Sequence, residues 1–248
     1  MPFVCGMPDS RASARRRTAG AVLLVVVASS ALAGGCSKLR DLGLDGRPLT
    51  VDTPIGPLTR WRLQRNASEP EACRAWLAAS GVAFTAVADR KEDDFCVVTD
   101  AGTLGDEIAG RPVRLSPRRP MMTCQLAAAM AIWRRGSVEP AARELLGAGV
   151  TQIDHVGVYA CRRIYNQSQG RPSAHARAAA IDIVGFRLSD GRRVSVARDW
   201  PDHTPEGRFL RRVRDDACQV FGTTLPPDYN AAHADHLHLE SGWMGLCA

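Results

Sequence analysis

The sequence predicts an α+β domain, an antiparallel sheet with helices packed on one of its faces. Three stretches carry that expectation. Met121 to Trp133 is rich in Ala, Met and Leu, with Leu126, Met130 and Trp133 on one helical face and Gly136 beyond its end. Phe186 to Val196 reads as a hairpin around Asp190-Gly191, a favoured two-residue turn. His236 to Glu240 alternates polar and apolar with period two, so His236, His238 and Glu240 share one strand face.

Taken from the N-terminus, residues 1–36 read as an export signal outside the fold. Arg15-Arg-Arg17 is a positive n-region, and Ala19 to Ala33 is an apolar run too short to span a bilayer stably. The run ends Leu32-Ala-Gly-Gly-Cys36. Small residues before a Cys resemble a lipoprotein signal, in which Cys36 is lipidated and becomes the new N-terminus. Cleavage after Ala33 to a soluble product, and an uncleaved anchor, are the alternatives. Each puts the domain outside the cytoplasm, on the periplasmic side of a bacterial envelope. Residues 37–67 lack periodicity and read as a tether from the membrane, partly ordered near Leu58 to Leu63. The domain is expected over 68–248, as a monomer.

Ser68-Glu-Pro-Glu71 is a capping box opening a helix through Trp76 and Leu77 that stops at Gly81. Val82 to Val87 and Cys96 to Thr99 read as strands across the charged turn Asp89 to Asp94, and Val113 to Leu115 as another short strand. Glu139 to Leu146 is a second helix closed by Gly147. Val150 to Ala160 reads as a strand leading to Cys161-Arg162-Arg163, followed by a polar loop over Asn166 to Pro172. Ala178 to Gly185 is a short strand, apolar on both faces. A last helix has Thr204 as cap, Pro205 at its first position, a buried stripe of Phe209, Val213 and Val220, and Gly222 at its end.

Composition is that of a globular chain: 45% hydrophobic and 23% charged over 248 residues. Removing residues 1–35 deletes four arginines and one aspartate, which takes the net charge from +6 to +3. No Lys/Arg run is interleaved with aromatics, which argues against nucleic acid as a partner. A mild positive charge suits approach to an anionic wall polymer. Of the 8 cysteines, Cys5 lies in the signal region and Cys36 is the lipid site. The remainder, Cys73, Cys96, Cys124, Cys161, Cys218 and Cys247, are even in number and suit disulfides in an oxidising compartment. The expected pairs are Cys73–Cys96, Cys124–Cys161 and Cys218–Cys247. No Cys-x-x-Cys occurs, so a thiolate zinc site is not expected.

Asp182 is the charged residue of an otherwise apolar strand, which is costly unless it is paired or bound to metal. His175 stands seven residues before it, and His238 lies in the period-two strand. His and Asp bind Zn²⁺ at about 2.0–2.2 Å, and a catalytic zinc takes three protein ligands with one position open. His175, Asp182 and His238 form such a set, leaving Asp235 or His236 to take a proton from water. His155 and His203 have no ligand-like partner in sequence. Trp200 and Trp243 are placed to flank a cleft, but each alone reads as a core residue.

Ser173-x-His175 with Asp182, followed by Asp235-x-x-His238, resembles the LAS metallopeptidases: bacterial D-Ala-D-Ala carboxypeptidases and dipeptidases, phage endolysins and murein endopeptidases. More closely, Tyr159-Ala-Cys-Arg162, Ser173-Ala-His175, Asp182-Ile, Asp228-Tyr-Asn-Ala-Ala-His233-Ala-Asp235-His-Leu-His238-Leu and Cys247 resemble the bacterial extensin-like C-terminal family, over roughly 70–248. The usual pattern has Gly where this chain has Ala178, which leaves the backbone there less able to approach its neighbours. His233 falls inside the resemblance, but its strand position is open.

The resemblance implies a small α+β zinc domain acting on peptidoglycan peptides. It implies hydrolysis of an amide bond in murein stem peptides or crosslinks, with Asp235 as general base and His236 in support. By the same resemblance Arg162 stabilises the oxyanion, with Arg163 as its competitor, and Ser173 orients ligand or substrate. The alternative is a non-catalytic, peptidoglycan-binding envelope lipoprotein that keeps the zinc site as a structural element.

Overall fold

The computed structural model describes residues 48–108 and 110–248. The expected export signal, the expected lipid site at Cys36 and the first part of the expected tether lie outside the described residues. No helix among the described residues is long and apolar enough to cross a membrane.

Helices α1 (Thr59–Asn66) and α2 (Pro70–Ala79) come first. The capping box does not form as expected. Glu69 occupies the N-cap of α2 without a side-chain bond, and the Ser68 hydroxyl instead donates to the Arg65 carbonyl at the end of α1. Eight short strands follow: β1 (Phe84–Ala86), β2 (Arg90–Lys91), β3 (Val97–Val98), β4 (Ala101–Leu104), β5 (Glu107–Ile108), β6 (Arg111–Pro112), β7 (Arg114–Ser116) and β8 (Met121–Thr123). β2 pairs with β3 across the charged turn, while β1, β4 and β8 form a separate antiparallel sheet.

The helix expected from Met121 begins later, as α3 (Cys124–Trp133), because Met121–Thr123 pairs with β4. Thr123 is its N-cap and accepts the Leu126 N–H at 3.3 Å. Nor does the helix stop at Gly136. One π turn, Arg134–Val138, carries it on into α4 (Glu139–Leu146). Gly136 serves close packing instead, since a Cβ there would lie 3.0 Å from the Ile55 side chain. Gly147 ends α4 in the left-handed region at φ 69°, as the sequence predicts.

The remaining elements are β9 (Val150–His155), β10 (Ala180–Leu188), β11 (Arg193–Ser195), α5 (Val196–Asp199), α6 (Pro205–Ala217), β12 (Thr223–Leu225), β13 (Leu237–Glu240) and β14 (Leu246–Cys247). The main sheet runs β14-β12-β13-β10-β9-β7, with β11 pairing the far half of β10. Its centre is antiparallel, but the pairs β12–β14 and β7–β9 are parallel, so the sheet is mixed rather than purely antiparallel.

One face of this sheet is the core. Phe186 of β10 packs edge-on to Phe209 of α6 at 5.0 Å and against Trp133 of α3 at 6.2 Å. The Trp133 indole N–H donates to the Val213 carbonyl. Along β10, Ile181 and Ile183 are fully buried, while Asp182 between them turns to the other face. The helices therefore cover one side and leave the other for polar side chains.

The disulfides are Cys73–Cys124, Cys96–Cys161 and Cys218–Cys247. The last is as expected, and the other two expected pairs are exchanged. Helix α2 packs on α3, which brings Cys73 to the first residue of α3 rather than to the strand region following it. Cys96 instead fastens the β2–β3 hairpin to the segment just before Arg162.

Candidate metal centre

The expected strand from Val150 to Ala160 leaves the sheet after His155, and residues 156–160 fold along the mouth of β10. There the Val156 N–H donates to the Asp182 carbonyl, the Asp182 N–H donates to the Gly157 carbonyl, and the Ala160 N–H donates to the His175 carbonyl. Ser173 caps a short 3₁₀ turn, Ala174–Arg177, by accepting the His175 N–H on its hydroxyl. It is buried, so its evident work is to hold the His175 backbone. Ala178 then takes φ 52°, ψ 33°, and this left-handed residue reverses the chain into β10. The position where the resembling pattern carries Gly is thus one where the backbone asks for it.

β10 and β13 pair with Asp182 directly opposite His238. Neighbours in such a pair share a face, and His238 Nδ1 lies 2.7 Å from Asp182 Oδ1. His175 Nε2 lies 3.3 Å from His238 Nδ1 and 3.2 Å from Asp182 Oδ2. Bonds of about 2.0–2.1 Å around a tetrahedral ion would set neighbouring ligand atoms about 3.3 Å apart, so these separations suit a metal ion.

The proton positions suit one as well. Carbonyl and carboxylate oxygens only accept, so a ring nitrogen bonded to one carries the proton. His175 Nδ1 donates to the Val158 carbonyl, and His238 Nε2 donates to Glu240 Oε1. Their other nitrogens, His175 Nε2 and His238 Nδ1, face the Asp182 carboxylate, where a metal ion would replace the proton shared with it. Two more histidines repeat the pattern. His233 Nδ1 donates to Asn230 Oδ1, which also accepts the Ala232 N–H, and His236 Nδ1 donates to Asp235 Oδ1. Outer-shell bonds of this kind fix the tautomer of a metal-binding histidine. Among the described residues, two groups of side chains could hold a metal ion: His175, Asp182 and His238, and His233, His236 and His238.

The electrostatics agree. Burial would raise the Asp182 carboxyl, but hydrogen bonds from His175 and His238 outweigh it and hold the group far below the usual carboxylate range. Burial would lower His238, but its bonds to Asp182 and Glu240 raise it to about 9 in the absence of metal. His233 has no such carboxylate. Burial, with His238 and His236 beside it, lowers it to about 4.

Of the residues expected at the site, His236 stands nearest the expected ligands, with Nε2 3.5 Å from Asp182 Oδ1. Asp235 sits behind it, bonded to its outer nitrogen, with a side chain 72% exposed. Arg163 is committed elsewhere: its guanidinium donates to the Gly170 carbonyl and stacks over Phe95 at 4.4 Å. Arg162 lies close enough for its charge to depress His233. Trp200 is buried, its indole bonded to Asp228, whereas Trp243 is exposed. His203 is exposed, and buried His155 bonds the Pro117 carbonyl, so neither joins the cluster.

Sequence reasoning left His233 open and gave Glu240 no role beyond its strand face. The His233-x-x-His236-x-His238 spacing was the available signal for the first, and the period-two strand for the second. Rings of Tyr165 and Tyr229 pack around His233 at 6.5 and 5.5 Å, forming the rim of the site.

No curated protein and no solved structure matches the chain. Residues 71–248 match the family described as Extensin-like protein C-terminus, and the chain belongs to that family.

Proposed function

We propose that the protein hydrolyses an amide bond in peptidoglycan stem peptides or crosslinks, using one Zn²⁺ held by His175, Asp182 and His238. The observation that carries this reading is the convergence of two imidazole nitrogens and a carboxylate on one point of the sheet face. A bound zinc would lower the pKa of a water and polarise the scissile carbonyl. The chain's own residues supply the rest. His236, with its inner nitrogen bare and its outer one on Asp235, is oriented to take the proton from the attacking water and pass it to the leaving amine. This gives Asp235 the orienting role and His236 the proton, the reverse of the order the sequence suggests. Arg162, close enough for its charge to reach His233, supplies positive charge for the oxyanion.

Three disulfides among the described residues suit an oxidising compartment, which supports an envelope location and an export signal ahead of the domain. The test is incubation of the zinc-loaded protein with purified muropeptides, followed by mass spectrometry. Hydrolysis adds one water across a peptide bond, and Asp182→Ala should abolish it. Muropeptide binding without any cleaved product would instead favour the wall-binding lipoprotein.

A further inference from the structure

A single hydrolytic ion needs three of the five inward-facing donors, and His233 and His236 remain. Both are prepared as ligands in the way His175 and His238 are. Each has its outer nitrogen on an oxygen and its inner nitrogen bare. The carboxylate–histidine pairing is also repeated, Glu240 behind His238 and Asp235 behind His236. Such carboxylates behind a ligating imidazole raise its basicity.

The inner faces of these rings meet one another. The His233 centroid lies 5.2 Å from that of His236 and 5.6 Å from that of His238, and the ligand atoms of the three fall within 4.8 Å. A cation satisfies them together. The Asp182 carboxylate reaches both groups: Oδ2 faces His175 Nε2, while Oδ1, 2.7 Å from His238 Nδ1, also lies 3.5 Å from His236 Nε2. A carboxylate whose oxygens reach both groups can bridge two ions and offset their repulsion.

We propose that the site takes two divalent cations: a first at His175, Asp182 and His238, and a second at His233 and His236, joined to it through Asp182. The second has fewer ligands of its own and is the weaker. It occupies the imidazole that the hydrolytic reading assigns to proton transfer, so excess metal holds the protein in a state unable to turn over. The proposal rests on that reading for the role of His236, but its test is a count of ions and stands whether or not murein is cut.

Metal-free protein would be dialysed to equilibrium against increasing Zn²⁺ and the bound metal measured by elemental analysis. The wild type should take up two ions per chain in two steps. His233→Gln and His236→Gln should each stop at one, with the first step kept, while His203→Asn, at an exposed histidine, should stay at two. Circular dichroism would confirm that each variant is folded. His236→Gln, at the rim, serves if His233→Gln is not. Saturation of the wild type at one ion, or two ions retained in the folded variants, would overturn the proposal.

Discussion

At the scale of single residues, His238 couples metal binding to pH. In the metal-free protein its pKa is raised from 6.5 to about 9. A raised pKa contributes stability that is fully present below pH 6.5 and is lost as pH rises through about 9. Metal must displace that proton, so affinity should rise with pH up to about 9. Near pH 7, binding should release about one proton. Calorimetry in two buffers of different ionisation enthalpy reads that number directly, and a value of zero would mean that His238 is not a ligand. Ala178 offers a separate residue-scale test. Its left-handed backbone is costly for any residue with a Cβ, and its methyl is fully buried. Ala178→Gly relieves the first and loses the second, so it should stay within about 1 kcal/mol of wild type in urea unfolding. Ala178→Val should cost about 1–3 kcal/mol, because a β-branched residue fits neither the dihedral angles nor the space.

At the scale of elements, the site depends on a segment that belongs to no strand. Residues 156–178 supply Val158, Arg162, Ser173 and His175, and Cys96–Cys161 ties this stretch to the β2–β3 hairpin. The paired variant Cys96→Ser/Cys161→Ser should lose about 2–4 kcal/mol of stability. It should also bind zinc more weakly, since the Val158 carbonyl that fixes the His175 tautomer would no longer be held. A competition titration with a chromophoric chelator checks the second effect, and unchanged affinity would show that the segment holds itself in place. The same segment marks where the sequence could be read and where it could not. β10, β13, α4 and the α6 cap were legible, because periodicity, Thr204-Pro205 and Gly147 are local signals. The grouping of Asp182 with His175 and His238 was legible because a carboxylate set in an apolar strand has to be paired or bound to metal to offset its desolvation. The exchange of disulfide partners was not, since it depends on α2 packing against α3. The strand at Met121–Thr123 was not either, because its backbone partner β4 overrides a strong helical composition.

At the scale of the whole molecule, the described part of the segment expected to be a tether, residues 48–67, contributes to the core. Leu49, Val51 and Leu63 are buried, at 3%, 7% and 0% exposure. The Trp76 indole donates to the Leu49 carbonyl, and the Gln125 amide donates to the Ala67 carbonyl. Ile55 fills the space that Gly136 leaves open. This stretch looked like a linker because its Pro and Gly break helical periodicity. Irregular backbone can still bury its apolar side chains when a neighbouring helix receives them. The family match begins at residue 71, so a protein cut to that boundary keeps every candidate ligand and loses this packing. Burying a large aliphatic side chain is worth about 1.5–3 kcal/mol. Three such residues are therefore comparable to the whole net stability of a typical domain, about 5–15 kcal/mol. Chains starting at residue 38 and at residue 68 should then differ sharply. The longer one should unfold cooperatively in urea, and the shorter one should lose several kcal/mol or fail to fold. Equal urea midpoints for the two would return residues 48–67 to the role of a tether.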